Sequence, residues 1–314
     1  MNTALQATAV LLPSLSLLSL LVNREVPKPY LAQQYCLGEF AKWNPSITTP
    51  PGLYLLSTAL SWAVRHACDP GFLRYTNVLL AATVLPWSIV GILKAKHRHA
   101  ALWEVLAISS FPLVTFFSLL YYTDVGSSAF VILGYWAAQE KRYVWSAIAG
   151  LVSLLFRQTN VVWIAFTAAT SILLEYAEVN DSRYAKPNPL LHISSPGELV
   201  DDIMTTPIRV LRAPKRAIAV LTWYLPTLML FGAFILWNGG IVLGHQEMHV
   251  ATLHFPQILY FLAFATILGW PALMNEGIRS LAIGTAKTGL GSAWRVLTSV
   301  LVLGAMNFMV ANYT

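Results

Sequence analysis

Long apolar runs separated by short polar segments make up most of the chain. The apolar residues in these runs do not alternate with a period of two, which favours helices over strands. Most runs are close to the roughly 20 residues that a helix needs to cross a bilayer, where the backbone must satisfy its own hydrogen bonds. We predict nine membrane-spanning helices, at residues 4–22, 75–93, 101–122, 126–139, 143–156, 160–177, 217–237, 253–273 and 289–311.

Two segments in the N-terminal part differ from these runs. Residues 23–52 contain several prolines and charges of both signs, which is typical of a loop. Residues 53–64 are apolar but too few to cross a core of about 30 Å at about 1.5 Å per residue, so we expect a helix that dips into the same face. Residues 4–22 lack a basic segment at their start, which favours an uncleaved anchor over a signal peptide.

The composition supports a membrane protein. Hydrophobic residues make up 56% of the 314 residues, charged residues make up 11%, and the mean hydropathy is +0.60. Soluble domains carry roughly 25% charged residues, so this chain has too little polar surface to cover itself in water. We predict an all-α polytopic membrane protein in which residues 1–314 form a single transmembrane domain.

The basic residues determine the predicted orientation. They recur in alternate loops, at residues 94–99, 139–142 and 178–216, and the positive-inside rule makes these loops cytoplasmic. Residues 23–52 and 157–160 then lie in the opposite, luminal compartment. The enrichment of Lys and Arg in cytoplasmic loops also explains the net charge of +6. The basic clusters lack the interleaved aromatic residues of a nucleic-acid groove, so we expect no nucleic-acid partner.

The polar run RQTN, residues 157–160, stands between two long apolar segments in LLFRQTNVVW. At a helix end, Arg157 is suited to clamp a phosphate because its planar guanidinium offers parallel donors. The alternative is an arginine that snorkels to the interface, with Thr159 and Asn160 capping a helix. Asp124 also has two interpretations, as a general base beside a substrate hydroxyl or as a helix cap.

The sequence contains no motif for nucleotide binding, thiol redox chemistry, serine hydrolysis or metal binding. No dinucleotide fingerprint, P-loop, CxxC or GxSxG occurs, and His249 and His254 are poorly spaced for a metal, so we assign no metal. Cys36 and Cys68 are the only cysteines. They can pair if both face an oxidising lumen, but two isolated cysteines are more often free thiols, and the sequence leaves the pairing open.

Several short motifs occur in the order in which one known family carries them. They are VPKPYL, QYC, WNPSITTPPGLYLLS, FLRYTN, LYYTDVGS, LFRQTNVVW, WNGGIVLG and HVATLHFPQILYF, between about residues 20 and 270. Together they resemble the dolichyl-phosphate-glucose alpha-1,2-glucosyltransferases, which add the last glucose to the lipid-linked oligosaccharide. FRQTN together with ITTPPGLY is the most specific part of the resemblance.

The resemblance implies a GT-C-like helix bundle that passes many times through the membrane of the endoplasmic reticulum and has a luminal first loop. It also implies a dolichyl phosphate glucose donor and a diglucosylated dolichyl-diphosphate oligosaccharide acceptor. The product carries the terminal alpha-1,2 glucose of the N-glycan precursor. No cofactor is implied, because the dolichyl phosphate leaving group is already ionised and a cationic side chain can stabilise it.

For this reaction the resemblance gives individual residues expected roles. Asp124, and after it Glu39, are the candidate carboxylates that accept the proton of the acceptor hydroxyl. Arg157 is the candidate clamp for the donor phosphate, with Lys28 of the first loop as a second cation. The expected sugar-binding residues are Gln158, Asn160, Trp43, Tyr121 and His249.

The chain departs from the family pattern after Leu31. Family members carry an acidic stretch of the type D-E-x-F-H between PYL and QYC, whereas Leu31 is followed directly by Ala32 and Gln33. A Gly-Asp pair of the family is Gly244 and His245 here, and family members are commonly longer at the C-terminal end. We expect an internal deletion and a shortened C-terminus, and therefore little glucosyl transfer by the chain as written.

Two other classes of function stay open at this point. A catalytically inactive membrane partner, such as a channel regulator, fits the missing acidic stretch, whereas the RQTN run favours an enzyme. A transporter is disfavoured, because the sequence has no internal repeat of the kind that transporter halves show.

The predicted orientation determines which loops an impermeant thiol reagent reaches from each side of the membrane. In sealed microsomes, a reporter cysteine within residues 178–216 should be labelled directly. A reporter within residues 23–50 should be labelled only after the membrane is permeabilised. Labelling of both reporters from the same side would contradict the orientation.

Overall fold

The computed structural model describes residues 2–22, 30–42, 44–95, 101–180, 207–208, 210–244 and 256–267. Its contacts divide the chain into two compact units, residues 1–249 and 250–314. In the second unit the described residues form one helix, Pro256–Ile267. In the first unit every regular element among the described residues is helical. The prediction of a helical protein is therefore confirmed for the part of the chain that the structure describes.

We number the helices in chain order. They are α1 (Asn2–Val22), α2 (Tyr30–Cys36), α3 (Gly52–Val64), α4 (Pro70–Ala82), α5 (Val84–Ala95), α6 (Leu102–Ser109), α7 (Pro112–Ser118), α8 (Asp124–Gln139), α9 (Tyr143–Phe156), α10 (Val161–Asn180) and α11 (Pro214–Asn238). A single 3₁₀ turn, Gln158–Asn160, separates α9 from α10. The helix of the second unit is α12.

Three described helical segments are long and apolar enough to cross a membrane. They are Thr3–Leu20 in α1, Pro70–Ala95 across α4 and α5, and Pro214–Asn238, which is α11. Only 17% of the α11 segment is buried, which suits a helix that faces lipid. The protein is thus a membrane protein, and the number of nine spans stays a prediction. The predicted span at 289–311 lies outside the described residues, and the one at 253–273 is described only over α12.

The predicted span at 101–122 is broken into two short helices. α6 ends at Ser109, and α7 begins at Pro112. Proline lacks the N–H that an interior helical position needs, and its fixed φ suits the first turn of a new helix. The break was not predicted because the whole stretch is apolar and was interpreted as one continuous span.

Two further differences lie nearer the N-terminus. The helical segment predicted at 75–93 begins earlier, at Pro70, because Asp69 caps it by accepting a hydrogen bond from the N–H of Phe72 at 2.9 Å. The loop predicted at 23–52 contains the short helix α2. The helices predicted at 53–64 and 143–156 match α3 and α9 closely.

Three clusters of buried apolar side chains hold the first unit together. The first joins α1, α3, α4, α8 and α9, with Leu53 and Phe156 among its most buried members. The second joins α1, α5 and α6, and the third joins α9, α10 and α11. Between membrane helices, close packing and dispersion supply much of the attraction. Because α9 belongs to two clusters, its C-terminal end is held from two sides.

Several described segments of the first unit lie at the two ends of the α8–α9 hairpin. At one end, which we call the RQTN end, the segments 44–51, 120–124 and 157–160 are linked by hydrogen bonds and an ion pair. At the opposite end, Glu175 of α10 accepts a hydrogen bond from Tyr143 at 2.6 Å and lies 3.6 Å from the amine of Lys141. The connections at 120–124 and 157–160 therefore lie at the end of the hairpin opposite to the connection at 139–142, and the orientation in the membrane stays a prediction.

Cys36 and Cys68 form a disulfide bond, although the sequence left their pairing open and isolated cysteines are more often free thiols. The two residues are 32 positions apart, and the fold brings their Cα atoms to 6.3 Å, a usual separation for a disulfide. Sequence spacing does not reveal this approach, because it depends on the packing of α2 against α3. The bond ties the end of α2 to the segment that precedes α4.

Gly52 is the residue at which α3 meets the end of α9. A Cβ atom on Gly52 would lie 2.4 Å from the carbonyl oxygen of Leu155, far inside van der Waals contact. The obstacle is backbone, so no side-chain rotation relieves it. The start of α3 therefore approaches α9 as closely as a residue without a side chain allows.

We expect Gly52→Ala to lower the stability of the protein by about 1–3 kcal/mol, because α3 or the end of α9 must move to admit the methyl group. Thermal unfolding of the full chain in detergent, followed by circular dichroism, measures this. Gly232→Ala is the matched control, since a Cβ there meets nothing within 4 Å and alanine is favoured within a helix. Unfolding of Gly52→Ala at the wild-type temperature would contradict the close contact.

Candidate functional site

The RQTN segment makes a sharp connection between α9 and α10. α9 ends at Phe156, and Arg157 has an extended backbone (φ −149°, ψ 127°) while its N–H still bonds the carbonyl of Ser153. The 3₁₀ turn follows, and α10 begins directly after it. This geometry leaves the side chain of Arg157 partly exposed and buries those of Gln158 and Asn160.

Arg157 and Asp124 form an ion pair at the RQTN end. The Nη2 atom of Arg157 lies 3.1 Å from both carboxylate oxygens of Asp124. Asp124 occupies the first turn of α8, where the helix dipole favours a carboxylate. The two side chains are 42% and 25% exposed, so the pair is open to an approaching ligand. The structure therefore brings together the two residues that the sequence analysis ranked first.

The guanidinium of Arg157 is not saturated by this contact. Its Nε atom is buried and has no hydrogen-bond partner among the described residues. A guanidinium carries five N–H donors, so one arginine can bind a carboxylate and a second anion together. Because Nε is buried, a phosphate would be bound by the exposed part of this oriented side chain and not by Nε.

Gln158 connects the RQTN segment to the first loop. Its Nε2 donates a hydrogen bond to the carbonyl of Thr48 at 2.7 Å, across 110 residues of sequence. Gly52, four residues after Thr48, makes the close approach to α9 described above. The loop at 44–51 is therefore held beside Arg157 by a buried polar bond and a close backbone contact.

Asn160 is buried and bonded on both sides of its amide. Its Nδ2 donates to the carbonyl of Ser153 at 2.9 Å and to the hydroxyl of Ser127 at 2.8 Å, and the Ser127 hydroxyl lies 3.0 Å from Asn160 Oδ1. Ser127 is on α8, one turn after Asp124. Asn160 thus joins α8 to the end of α9 and sets the spacing between Asp124 and Arg157.

Tyr121 belongs to a polar chain beneath the site. Its hydroxyl bonds Ser57 on α3 at 2.9 Å, and Ser57 in turn donates to Thr76 on α4 at 3.0 Å. Asn77 donates to the carbonyls of Leu120 and Tyr122, both at 2.7 Å. These bonds fix the segment that leads into Asp124.

The other predicted site residues lie elsewhere or outside the described part. Glu39 pairs with Lys42 at 2.7 Å on an exposed turn after α2, and both line a separate groove. Lys28, Trp43 and His249 lie outside the described residues. Within the described part, no group of three or more His, Cys, Asp or Glu side chains is arranged to hold a metal. The roles assigned to all these residues stay predictions.

Thr48, Ser127 and Ser57 were not among the residues predicted to form the site. Thr48 and Ser127 occur in the motifs ITTPPGLY and LYYTDVGS, which served only to support the resemblance. Their function here is to bond buried side chains, and a small hydroxyl or a loop carbonyl gives no distinctive signal in a single sequence. The sequence does show isolated polar residues at several helix ends, and this was the signal that could have identified them as partners of buried side chains.

The chain matches the model of a family described as the DIE2/ALG10 family over residues 30–314. Three curated relatives carry the name Dol-P-Glc:Glc(2)Man(9)GlcNAc(2)-PP-Dol alpha-1,2-glucosyltransferase. The Arabidopsis thaliana protein is 34% identical over 307 residues, which covers 78% of this chain and 60% of the relative. The Mus musculus protein is 32% identical over 312 residues, covering 90% and 64%. The Aspergillus fumigatus protein is 35% identical over 300 residues, covering 81% and 48%.

The chain therefore spans less than two thirds of the length of each of these relatives. The matched part includes the RQTN end, because the family model covers residues 30–314. No solved structure matches the chain.

We expect Asn160→Ala to destabilise the protein by about 1–3 kcal/mol, because it removes two buried hydrogen bonds, to the carbonyl of Ser153 and to the hydroxyl of Ser127. Thermal unfolding in detergent measures this loss. Asn44→Ala is the matched control, since Asn44 is exposed and bonds only within its own turn, to Ser46. Equal effects of the two substitutions would contradict a structural role for the buried amide.

Proposed function

The chain belongs to the DIE2/ALG10 family, and from this premise we propose that it transfers glucose from dolichyl phosphate glucose to the diglucosylated lipid-linked oligosaccharide. The product carries a new terminal alpha-1,2-linked glucose. The relatives named above carry the name of this reaction. The single observation that supports the proposal in this chain is the accessible ion pair between Arg157 and Asp124.

The reaction is an inverting displacement at the anomeric carbon of the donor glucose. The 2-hydroxyl oxygen of the acceptor glucose attacks that carbon and forms the new glycosidic bond. The bond between the anomeric carbon and the phosphate oxygen breaks, and its electron pair leaves with dolichyl phosphate. The acceptor proton passes to a carboxylate. The protein has to hold this geometry, supply the base and stabilise the charge that develops on the phosphate.

Arg157 is the proposed phosphate clamp. Asp124 binds through Nη2 and holds the guanidinium in one orientation, and the side chain is still 42% exposed. Charge on the phosphate increases as the donor bond breaks, so a donor aimed at that oxygen stabilises the transition state more than the ground state. Lys28 stays a second candidate for the same role.

Asp124 is the proposed base, with Glu39 as the second candidate. Asp124 lies beside the phosphate clamp, which puts a carboxylate close to the bond that breaks. Gln158, Asn160 and Tyr121 stay candidates for contacts with sugar. Their bonds to Thr48, Ser127 and Ser57 also make them positioning residues. Trp43 and His249 keep their proposed contacts with sugar.

The proposed location is the membrane of the endoplasmic reticulum, with the RQTN end facing the lumen. A disulfide between Cys36 and Cys68 is stable in an oxidising compartment such as this lumen. The loop that carries Cys36 also carries Thr48, which bonds Gln158 of the RQTN segment. The disulfide and the ion pair are therefore proposed to face the same compartment, where the glycan acceptor is displayed.

We expect Arg157→Lys to lose well over half of the transfer activity, because a compact ammonium cannot reproduce the fork of a guanidinium. The chain is expressed in cells that lack a transferase of their own, and microsomes are prepared from these cells. The microsomes are incubated with dolichyl phosphate glucose and the diglucosylated lipid-linked acceptor. Arg142→Lys is the matched control, an exposed arginine at the opposite end of the α8–α9 hairpin.

Protein levels measured by immunoblot separate lost activity from lost protein. Transfer by Arg157→Lys equal to that of the wild type, at normal protein level, would return Arg157 to the role of a snorkelling arginine. Because we expect the chain as written to transfer little, the same pair of variants is also compared in a second background. In that background an acidic stretch is inserted behind Leu31 and the C-terminal part of a longer relative is added. A complete absence of transfer in both backgrounds would contradict the proposed function of this chain.

A further inference from the structure

A large open groove lies apart from the ion pair of Arg157 and Asp124. It has a volume of about 1010 Å³ and is formed by α2, the turn after it, the end of α3 and the segment before α4. Cys36 and Cys68 both line it, so we call it the disulfide groove. Apart from Glu39, none of its lining residues has a part in the proposed transfer reaction.

The walls of the disulfide groove are fixed by covalent and hydrogen bonds. Besides the disulfide, Gln33 Nε2 donates to the carbonyl of Cys68 at 3.1 Å, which links the same two walls a second time. The hydroxyl of Ser61, near the end of α3, donates to the carbonyl of His66 at 2.6 Å. A groove held in this way loses little conformational entropy when a ligand enters.

Trp62 presents an aromatic surface at the edge of this groove. Its side chain is 57% exposed, yet its Nε1 donates to the carbonyl of Cys36 at 3.2 Å. Phe40 packs against the indole edge-to-face, with ring centroids 6.2 Å apart. The ring is therefore oriented before any ligand binds. The face of an indole carries negative charge density and attracts the C–H groups on the apolar side of a sugar ring.

The polar groups of the groove suit a neutral ligand with many hydroxyl groups. Two carboxylates, of Glu39 and Asp69, are balanced by the cations of Lys42 and Arg65. A phosphate or another polyanion would gain little from such a balanced set. Carboxylate, guanidinium and amide groups together supply both acceptors and donors, which is what sugar hydroxyls need.

The backbone conformation of Arg65 indicates that the edge of the groove has a specific, constrained geometry. It is the C-cap of α3 and has a left-handed backbone (φ 54°, ψ 39°). A non-glycine residue in this region is uncommon, and such positions concentrate at sites that bind ligands. The conformation turns the chain sharply from Trp62 toward His66 and so brings the aromatic and polar walls together.

We propose that the disulfide groove binds a neutral oligosaccharide, with Trp62 as the platform on which one sugar ring stacks. The inference rests on the proposed function for the identity of this oligosaccharide, which is the glycan of the lipid-linked acceptor. The groove then holds sugars of the acceptor that are remote from the reacting hydroxyl, while Arg157 acts on the donor phosphate and Asp124 on the reacting hydroxyl. Trp62 is a substrate-binding residue in this arrangement and takes no part in bond breaking.

A direct binding experiment tests the groove without any need for transfer. The full chain in lipid nanodiscs is titrated with the free Glc2Man9GlcNAc2 oligosaccharide carrying a fluorescent label, and binding is followed by anisotropy. We expect Trp62→Leu to weaken binding about tenfold, which corresponds to the loss of one aromatic stacking contact. Trp62→Phe keeps an aromatic face and should stay within about threefold of the wild type.

Trp103→Leu is the matched control, because Trp103 is 70% exposed and lies outside the groove. It should leave oligosaccharide binding unchanged. Equal affinity of Trp62→Leu and the wild type, or equal losses in the Trp62 and Trp103 variants, would overturn the proposal. Trp62 would then be an interfacial tryptophan that contacts lipid headgroups.

Transfer kinetics separate this inference from the proposed function. In a background with measurable transfer, Trp62→Leu should raise the KM for the acceptor several-fold and leave kcat unchanged. Oligosaccharide binding that depends on Trp62, without transfer in any background, would uphold the groove and contradict the proposed reaction. Transfer with an unchanged acceptor KM in Trp62→Leu would uphold the reaction and overturn the groove.

Discussion

The buried amides of Gln158 and Asn160 are the constraint on which the RQTN end depends. An amide that is removed from water must find its hydrogen bonds inside the protein or lose about 1–3 kcal/mol. Gln158 finds the carbonyl of Thr48, and Asn160 finds Ser127 and Ser153. Each bond reaches a different element, so satisfying two side chains draws the first loop and the start of α8 to the end of α9. The ion pair of Arg157 follows from this arrangement.

The length of each apolar run and the positions of the prolines determined how much of the fold could be predicted. The helices at 53–64 and 143–156 are bounded by turn residues or charges that a sequence displays, and their limits agree with α3 and α9. The run at 101–122 is uniformly apolar, and the break at Pro112 was overlooked because hydropathy outweighed the backbone restriction. The disulfide was not predictable, since it depends on how α2 packs on α3.

The candidate site was predictable where a residue is out of place in its surroundings. Arg157 lies in an apolar stretch and Asp124 lies at the start of a helix. Both residues are at the RQTN end of the α8–α9 hairpin, where they form an ion pair. Glu39 lies in a polar loop, where a carboxylate has many possible partners, and it pairs locally with Lys42. The roles of Thr48 and Ser127 depend on a distance between side chains, and a single sequence contains no record of that distance.

The disulfide also carries information about the path of the chain through the membrane. Covalently joined residues lie on one side of a bilayer, so the chain between Cys36 and Cys68 crosses it an even number of times. α3 is the only described helix that lies wholly between them, and its 13 residues are too few for two passages. The number of crossings in this stretch is therefore zero. The bond therefore restricts the parity of the topology, in agreement with a helix α3 that dips into one face, which stays a prediction.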